Sequence, residues 1–217
     1  MIRTFVPMAE KKDVKEVVIH QALSLFNTNG FVNVRLQQIA DAAEISVGHM
    51  AYHFKNKEAI LAAIYALLSE RQRIHLAEFR VVPLFEDIDR QIKSTFELQR
   101  DFIFFYQDML EIMRGFPSIR STHQRQIVWQ ILQIQTMIDF NMARGVFLPP
   151  SFSDQCKNTA IQYWSASEFW CYRQSVAGLP LTNFSDFRKN VWSVLIPLLT
   201  HVGVLEFKQL PAAFHAR

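Results

Sequence analysis

Seven side chains that donate hydrogen bonds or carry positive charge lie close together in the sequence: Arg35, Gln37, His49, Tyr52, His53, Lys55 and Lys57. Groups of these types do non-covalent chemistry, with cations and hydroxyls meeting phosphate oxygens and neutral donors meeting base edges. A run such as Tyr52-His53-Phe54, taken alone, is ordinary core packing with one satisfied histidine, so its meaning depends on its surroundings. Bond-making chemistry finds no support elsewhere. The chain has no Walker loop, GxGxxG, HExxH or GxSxG, and Asp108 and Glu111, one helical turn apart, read as solvated surface acids. Cys156 and Cys171 fall in one expected helix, roughly 22 Å apart along its axis, too far for a disulfide. With no CxxC pair and no Cys/His cluster, they read as buried, reduced thiols. No metal or other cofactor is expected, and the protein is not expected to be an enzyme.

The elements that position these groups are helical. Among 217 residues, 50% are hydrophobic and only 14 are Gly or Pro, too apolar for disorder and too poor in turn formers for a many-stranded β protein. The net charge of +3 permits a nucleic acid partner without arguing for one. The stretch from Val194 to Leu205 is broken by Pro197, Thr200 and His201 and falls short of the ~18 residues of a membrane span. The first residues, MIRTFVPMAEKK, hold no continuous apolar segment of a secretory signal. A cytoplasmic protein without membrane contact is expected.

Val14, Val17, Val18, Ala22, Leu25 and Phe26 repeat at helical spacing, and Asn29-Gly30 supplies a stop. Asn33 is the expected N-cap of a short second helix with Leu36, Ile39, Ala40 and Ala43 on its apolar face. A turn at Glu44-Ile45 follows, and Ser46 caps a third helix running to about His53. Two short helices around such a turn make a helix-turn-helix. Beyond it the pattern predicts a long helix over 58–79 closed by Pro83, a helix from Ile88 to Tyr106, and a shorter piece over 108–114. Next come a helix over 118–144 that is apolar nearly all round and so buried on more than one side, another over 153–176, and a last one over 185–200. No strand is expected. The reading is an all-α chain of about nine helices, with a three-helix unit over 1–57 and a larger bundle over 58–217.

Written out, LQQIADAAEISVGHMAYHFKNKEAIL from Leu36 to Leu61 resembles the signature of the TetR (TetR/AcrR) family of transcriptional regulators. Ile39-Ala40, Ser46, Gly48, Tyr52-His53-Phe54, Lys55, Lys57-Glu58 and Ile60-Leu61 carry the resemblance. In physical terms, Ala40 and Gly48 are small where two helices cross closely, while Leu36, Ile39, Ile45, Met50 and Phe54 fill a miniature core that keeps the pair rigid. The second helix of the motif then presents Val47, His49, Ala51, Tyr52 and His53 to a major groove. Val47 meets a thymine methyl, His49 donates to a base acceptor, and Tyr52 and His53 reach phosphates, with Ser46 opening the helix. His53 has the alternative role of capping the helix and ordering Lys55 and Lys57. Arg35 and Gln37 on one side and Lys55 and Lys57 on the other clamp the backbone. Three features depart from the family pattern. Glu44 stands where many members have Gly, costing about 1 kcal/mol if left-handed; Ala51 replaces a phosphate-binding Tyr; and Val34-Arg35 replaces the usual Ser/Thr.

The resemblance implies a one-component bacterial regulator, most commonly a repressor, that binds palindromic double-stranded operator DNA as a homodimer and releases it when a small effector binds. The density of Phe102, Phe105, Tyr106, Met109, Met113, Trp129, Met137, Phe140 and Trp164 suggests an apolar effector in a cavity of several hundred Å³. The alternative is a solid core of the same residues, and with it a regulator or architectural protein that has no effector. Phe169, Trp192, Leu195 and Leu199 belong to helices with more apolar surface than one face can bury, expected at the dimer interface or, alternatively, within the core of a single chain.

Overall fold

The computed structural model of the chain describes residues 13–77 and 82–210. Within them lie twelve α-helices, and the chain divides into two compact units, Met1–Ile64 and Tyr65–Arg217, the division falling inside α4.

In the first unit, α1 (Val14–Asn29) begins where the Asp13 carboxylate accepts the Lys15 N–H at 3.0 Å, filling one of the vacant donors of a helix start. It ends at Gly30, whose N–H makes the last helical bond to the Phe26 carbonyl and whose φ of 78° then turns the chain out of the helix. α2 (Leu36–Ala42) is capped by Arg35 and not by Asn33: the Gln38 side chain accepts the Arg35 N–H at 2.8 Å, while the Asn33 amide donates to Asn29 at the end of α1. α3 (Val47–His53) starts as expected at Ser46, whose hydroxyl accepts the His49 N–H at 3.1 Å. Between α2 and α3 the Ile45 N–H bonds to the Ala40 carbonyl and the Glu44 N–H to that of Asp41. Closing a helix this way requires a left-handed residue, and Glu44 supplies it at φ 56°. α4 (Lys57–Ala77) is opened by Asn56, whose side-chain oxygen accepts the Ala59 N–H at 2.9 Å; its expected end at Phe79 lies outside the described residues. The three helices and the start of α4 enclose Val18, Ala22, Phe26, Ile39, Ala40, Met50, Ile60 and Leu61, all at most 1% exposed.

The second unit holds more helices than the apolar periodicity suggested, because several long patterns are interrupted. α5 (Phe85–Asp101) and α6 (Ile103–Gln107) are separated at Phe102, α7 (Met109–Gly115) begins after Asp108, and the segment expected as one helix over 153–176 is α9 (Gln155–Glu168) and α10 (Trp170–Val176), parted at Phe169. Cys156 and Cys171 therefore sit on separate helices, both as free thiols, the second buried. α8 (Pro117–Ala143) is the longest helix, yet Val128 and Leu132 on it are exposed, so it is not buried on every apolar side. α11 (Phe184–Leu195) stops short because Pro197 lacks an N–H; a 3-10 turn over Ile196–Leu198 and then α12 (His201–Phe207) follow. α9 lies along α8 and α11, α11 packs on α5, and α10 on α6.

Phe85, Phe187 and Trp192 form the centre of this packing, with Phe85 edge-on to Trp192 at 5.5 Å between rings. Arg188 on α11 is 4% exposed and meets Asp89 on α5 through both ends of its guanidinium, and the Trp192 indole donates to the same carboxylate at 3.0 Å. An isolated antiparallel bridge joins Phe147 to Leu199, with the Leu148 N–H donating to the Leu198 carbonyl at 2.7 Å. Among the described residues no helix is long and apolar enough to cross a membrane.

Candidate nucleic-acid interface and interior cavity

α3 owes its rigidity to Met50 and Phe54, both buried, which pin one side of it to α1 and α2. Its other side is left to solvent. His49, Ala51 and Tyr52 are exposed, Tyr52 at 86%, while Val47 and His53 are half-buried at the edge of this face. The rings of His49 and His53 lie 5.5 Å apart and Tyr52 stands edge-on to His53 at 5.2 Å, forming one aromatic and donor-bearing ridge. Such a ridge, on a helix whose other side is locked, can present hydrogen-bond donors and an apolar edge to a groove without first paying to order them.

The flanking residues divide. Arg35, Gln37 and Lys55 are exposed, although the Gln37 amide donates to the Asp41 carboxylate at 2.7 Å. Lys57 is turned inward: its ammonium donates to the Phe31 carbonyl and lies 4.2 Å from the centre of the Phe31 ring, and burial lowers its pKa. It fastens the loop after α1, a correction to its expected place as a phosphate clamp. Gly48 is also explained differently. It is exposed, and a Cβ there would meet only the Ser46 hydroxyl at 3.9 Å, so close helix crossing does not require it; Ala40, wholly buried, does fit that reason.

Aromatic density in the second unit makes solid core only in part. Phe102, Phe105, Tyr106 and Met137 are at most 2% exposed, and Met109, Met113, Trp129, Phe140 and Trp164 are half-buried. A cavity of about 360 Å³, within the expected size, is lined by Tyr106 and Met109 of these nine residues, and a smaller interior hollow of about 30 Å³ by Tyr106 and Trp164. The remainder of the hollow's wall is largely polar, including Gln72, Gln91, Gln130 and Glu168. Burial holds the Glu168 carboxyl up to about 8, because an ion there would lose its water. These residues were missed by the sequence reading. The available signal was polar side chains in register with apolar stripes, Gln72 with Tyr65 and Leu68 on α4, and Glu168 with Trp164 on α9.

The expected interface residues also separate. Trp192 and Leu195 are 0% exposed in the single chain, so they belong to its own core and offer nothing to a partner. Leu199 is half-buried and bridged to Phe147. Phe169 is 44% exposed, and Ile161, Tyr172 and Val176 are exposed with it. Ile161 lies on α9, Phe169 at its break with α10, and Tyr172 and Val176 on α10.

Residues 18–64 match the family model described as bacterial regulatory proteins, tetR family, and residues 70–207 match the model described as bacterial transcriptional repressor. A probable HTH-type transcriptional regulator, YttP of Bacillus subtilis (strain 168), is 35% identical over 51 residues, which cover 24% of this chain and 25% of that protein. The HTH-type transcriptional regulator RutR of Escherichia coli (strain K12) is 32% identical over 90 residues, 41% of this chain and 42% of that one. The matched part thus spans less than half the length of either curated relative. A crystallised TetR-family transcriptional regulator from Marinobacter aquaeolei VT8 superposes with a TM-score of 0.77 at 20% identity, over 92% of this chain and 100% of that one, a likeness of fold. With the helix-turn-helix and most of the second unit both matched, the chain belongs to the TetR family of bacterial regulatory proteins.

Proposed function

We propose that this chain is a homodimeric transcription repressor that binds a palindromic operator in the cytoplasm and leaves it when a small effector occupies the second unit. The observation that carries the reading is the exposed ridge of α3, His49, Ala51 and Tyr52 with Val47 at its edge, on a helix held from behind by Met50 and Phe54. A side chain fixed in this way can read the donor and acceptor pattern of a major groove. Arg35 and Lys55, both exposed, supply the backbone contacts. The exposed apolar residues Ile161, Phe169, Tyr172 and Val176 support a second copy docking along α9 and α10.

Selection of bound fragments from random duplex DNA tests this directly. The expected outcome is a two-fold symmetric sequence whose binding weakens steeply with salt. Fragments without a common sequence, or a single half-site, would refute the dimeric operator reading. A second reading, a DNA-binding protein without an effector, is favoured by the small size of the interior hollow, about 30 Å³. It predicts that no small molecule changes DNA affinity.

A further inference from the structure

Much of the wall of the interior hollow is bonded to itself. The Gln72 amide donates to the Tyr106 hydroxyl at 3.2 Å, the Tyr163 hydroxyl to Gln91 at 3.1 Å, and the Trp164 indole to Gln130 at 2.7 Å. Two acceptors remain over. Gln72 Oε1 and Glu168 Oε1 are both out of contact with solvent and without a hydrogen-bond partner, on residues only 7% and 5% exposed. Leaving buried acceptors unsatisfied is costly, and leaving a carboxyl so is costlier still.

No Lys or Arg lines the hollow, so burial keeps Glu168 largely protonated at neutral pH until a cation enters; the other titratable groups there are His75 of α4, Tyr106 of α6 and Tyr163 of α9. A leucine or methionine would pack this position more cheaply, so a carboxyl here marks a functional candidate. The aromatic rings of Tyr106, Tyr163 and Trp164 border the same space, and aromatic faces attract cations once water is excluded. The space is not sealed, since Thr95, Trp164 and Ser167 on its wall are only half-buried.

We infer that this hollow is the effector site and that its ligand is a small cation bearing N–H donors, an amidinium or ammonium group, with Glu168 as its counter-charge and the Gln72 carbonyl as a second acceptor. The inference rests on the reading of the second unit as an effector-binding bundle. It replaces the apolar effector suggested by aromatic density with one chosen by the two vacant acceptors. The hollow widens to admit the ligand, displacing the little water it has room for.

Acetamidinium, acetamide and acetate share one shape and differ in charge, which makes them the probes. Each is titrated into the full-length chain while the indole N–H resonance of Trp164 is followed, and DNA affinity is measured in parallel. Acetamidinium is expected to give a saturable shift and to weaken DNA binding, with acetamide weaker and acetate without effect. Glu168→Gln, which keeps size and shape, is expected to reduce acetamidinium affinity about tenfold or more; Gln72→Met, checked for an unchanged melting temperature, reduces it less. Acetate binding as well as acetamidinium, or undiminished binding in Glu168→Gln, overturns the cation assignment alone. A saturable shift that leaves DNA affinity untouched overturns the effector reading and keeps the site. No saturable shift from any probe overturns the site itself.

Discussion

The ammonium of Lys57 donates to the main-chain carbonyl of Phe31 and sits above the ring of the same residue, so one side chain holds the loop that joins α1 to α2. Removing it takes away a charged hydrogen bond and a cation–π contact together. Lys57→Ala should destabilise the chain by about 1–3 kcal/mol in thermal unfolding. Lys55→Ala, at an exposed position, should instead leave stability alone and flatten the salt dependence of DNA binding by about one unit. The reverse pattern would return Lys57 to the phosphate backbone.

Glu44 bears the backbone strain of the turn between α2 and α3, with φ at 56°. Glycine adopts this conformation without a Cβ clash, so Glu44→Gly should raise the stability of the chain by about 1 kcal/mol. Chemical denaturation reads the change as a higher midpoint at unaltered slope. A lower midpoint would mean that the Glu44 side chain contributes more than its backbone costs.

His49 stands on the exposed ridge of α3 with its backbone N–H already tied to Ser46, leaving the imidazole to act alone. His49→Ala should cost ~1 to 3 kcal/mol of discrimination at one or two base pairs and leave the melting temperature unchanged. Binding profiles against single-base operator variants make the measurement. Uniform weakening over all variants would assign His49 to the backbone.

Phe169 and Leu195 should respond differently to the same substitution. Phe169→Asp places charge at an exposed position and should yield a folded monomer by sedimentation, whereas Leu195→Asp buries an unpaired charge where exposure is 0% and should unfold or aggregate the chain. A folded monomer from Leu195→Asp would place that residue at an interface after all.

Two buried groups give opposite pH dependences. Glu168 has its pKa raised from 4.5 to about 8, so the folded chain holds the extra proton across that interval and loses stability as pH rises. His123 has its pKa lowered from 6.5 to about 4 by burial, so the unfolded chain holds the extra proton there and stability grows as pH rises. The two slopes, each up to ~1.4 kcal/mol per pH unit, oppose one another until the histidine is spent. Melting temperature should therefore be nearly level up to pH 6.5 and fall from there to pH 8. In Glu168→Gln the fall should vanish, and its persistence would locate the titrating group elsewhere.

The first unit was legible because its signals are local. Ser46 and Gly30 act on backbone within a few residues, and the structure uses each of them at a helix end. Asn33 and Arg35 could not be told apart as caps, since Asn33 finds its partner one helix back, in Asn29. In the second unit, apolar periodicity runs through Phe102 and Phe169 without a mark, and the breaks there come from packing and not from a breaking residue. Periodicity also cannot say whether an apolar face meets its own chain or another, which is why an interface and a single-chain core were both open for Trp192 and Leu195, which lie inward. Gln72 and Glu168 were readable in principle as polar interruptions of apolar stripes, but large aromatics carry more weight in a search for an apolar pocket.

The ion pair between Asp89 and Arg188 works as a latch on the register of α11. Sliding α11 by one turn along α5, about 5.4 Å, would strip a guanidinium that is 4% exposed of its carboxylate and leave the Trp192 indole without its acceptor. Breaking a buried pair in this way costs ~3–5 kcal/mol, more than the ~1–3 kcal/mol by which one site usually influences another. The α5–α11 pair therefore behaves as a fixed frame, and any adjustment to a bound molecule must be taken up by the other walls of the hollow, α4, α6, α8 and α9.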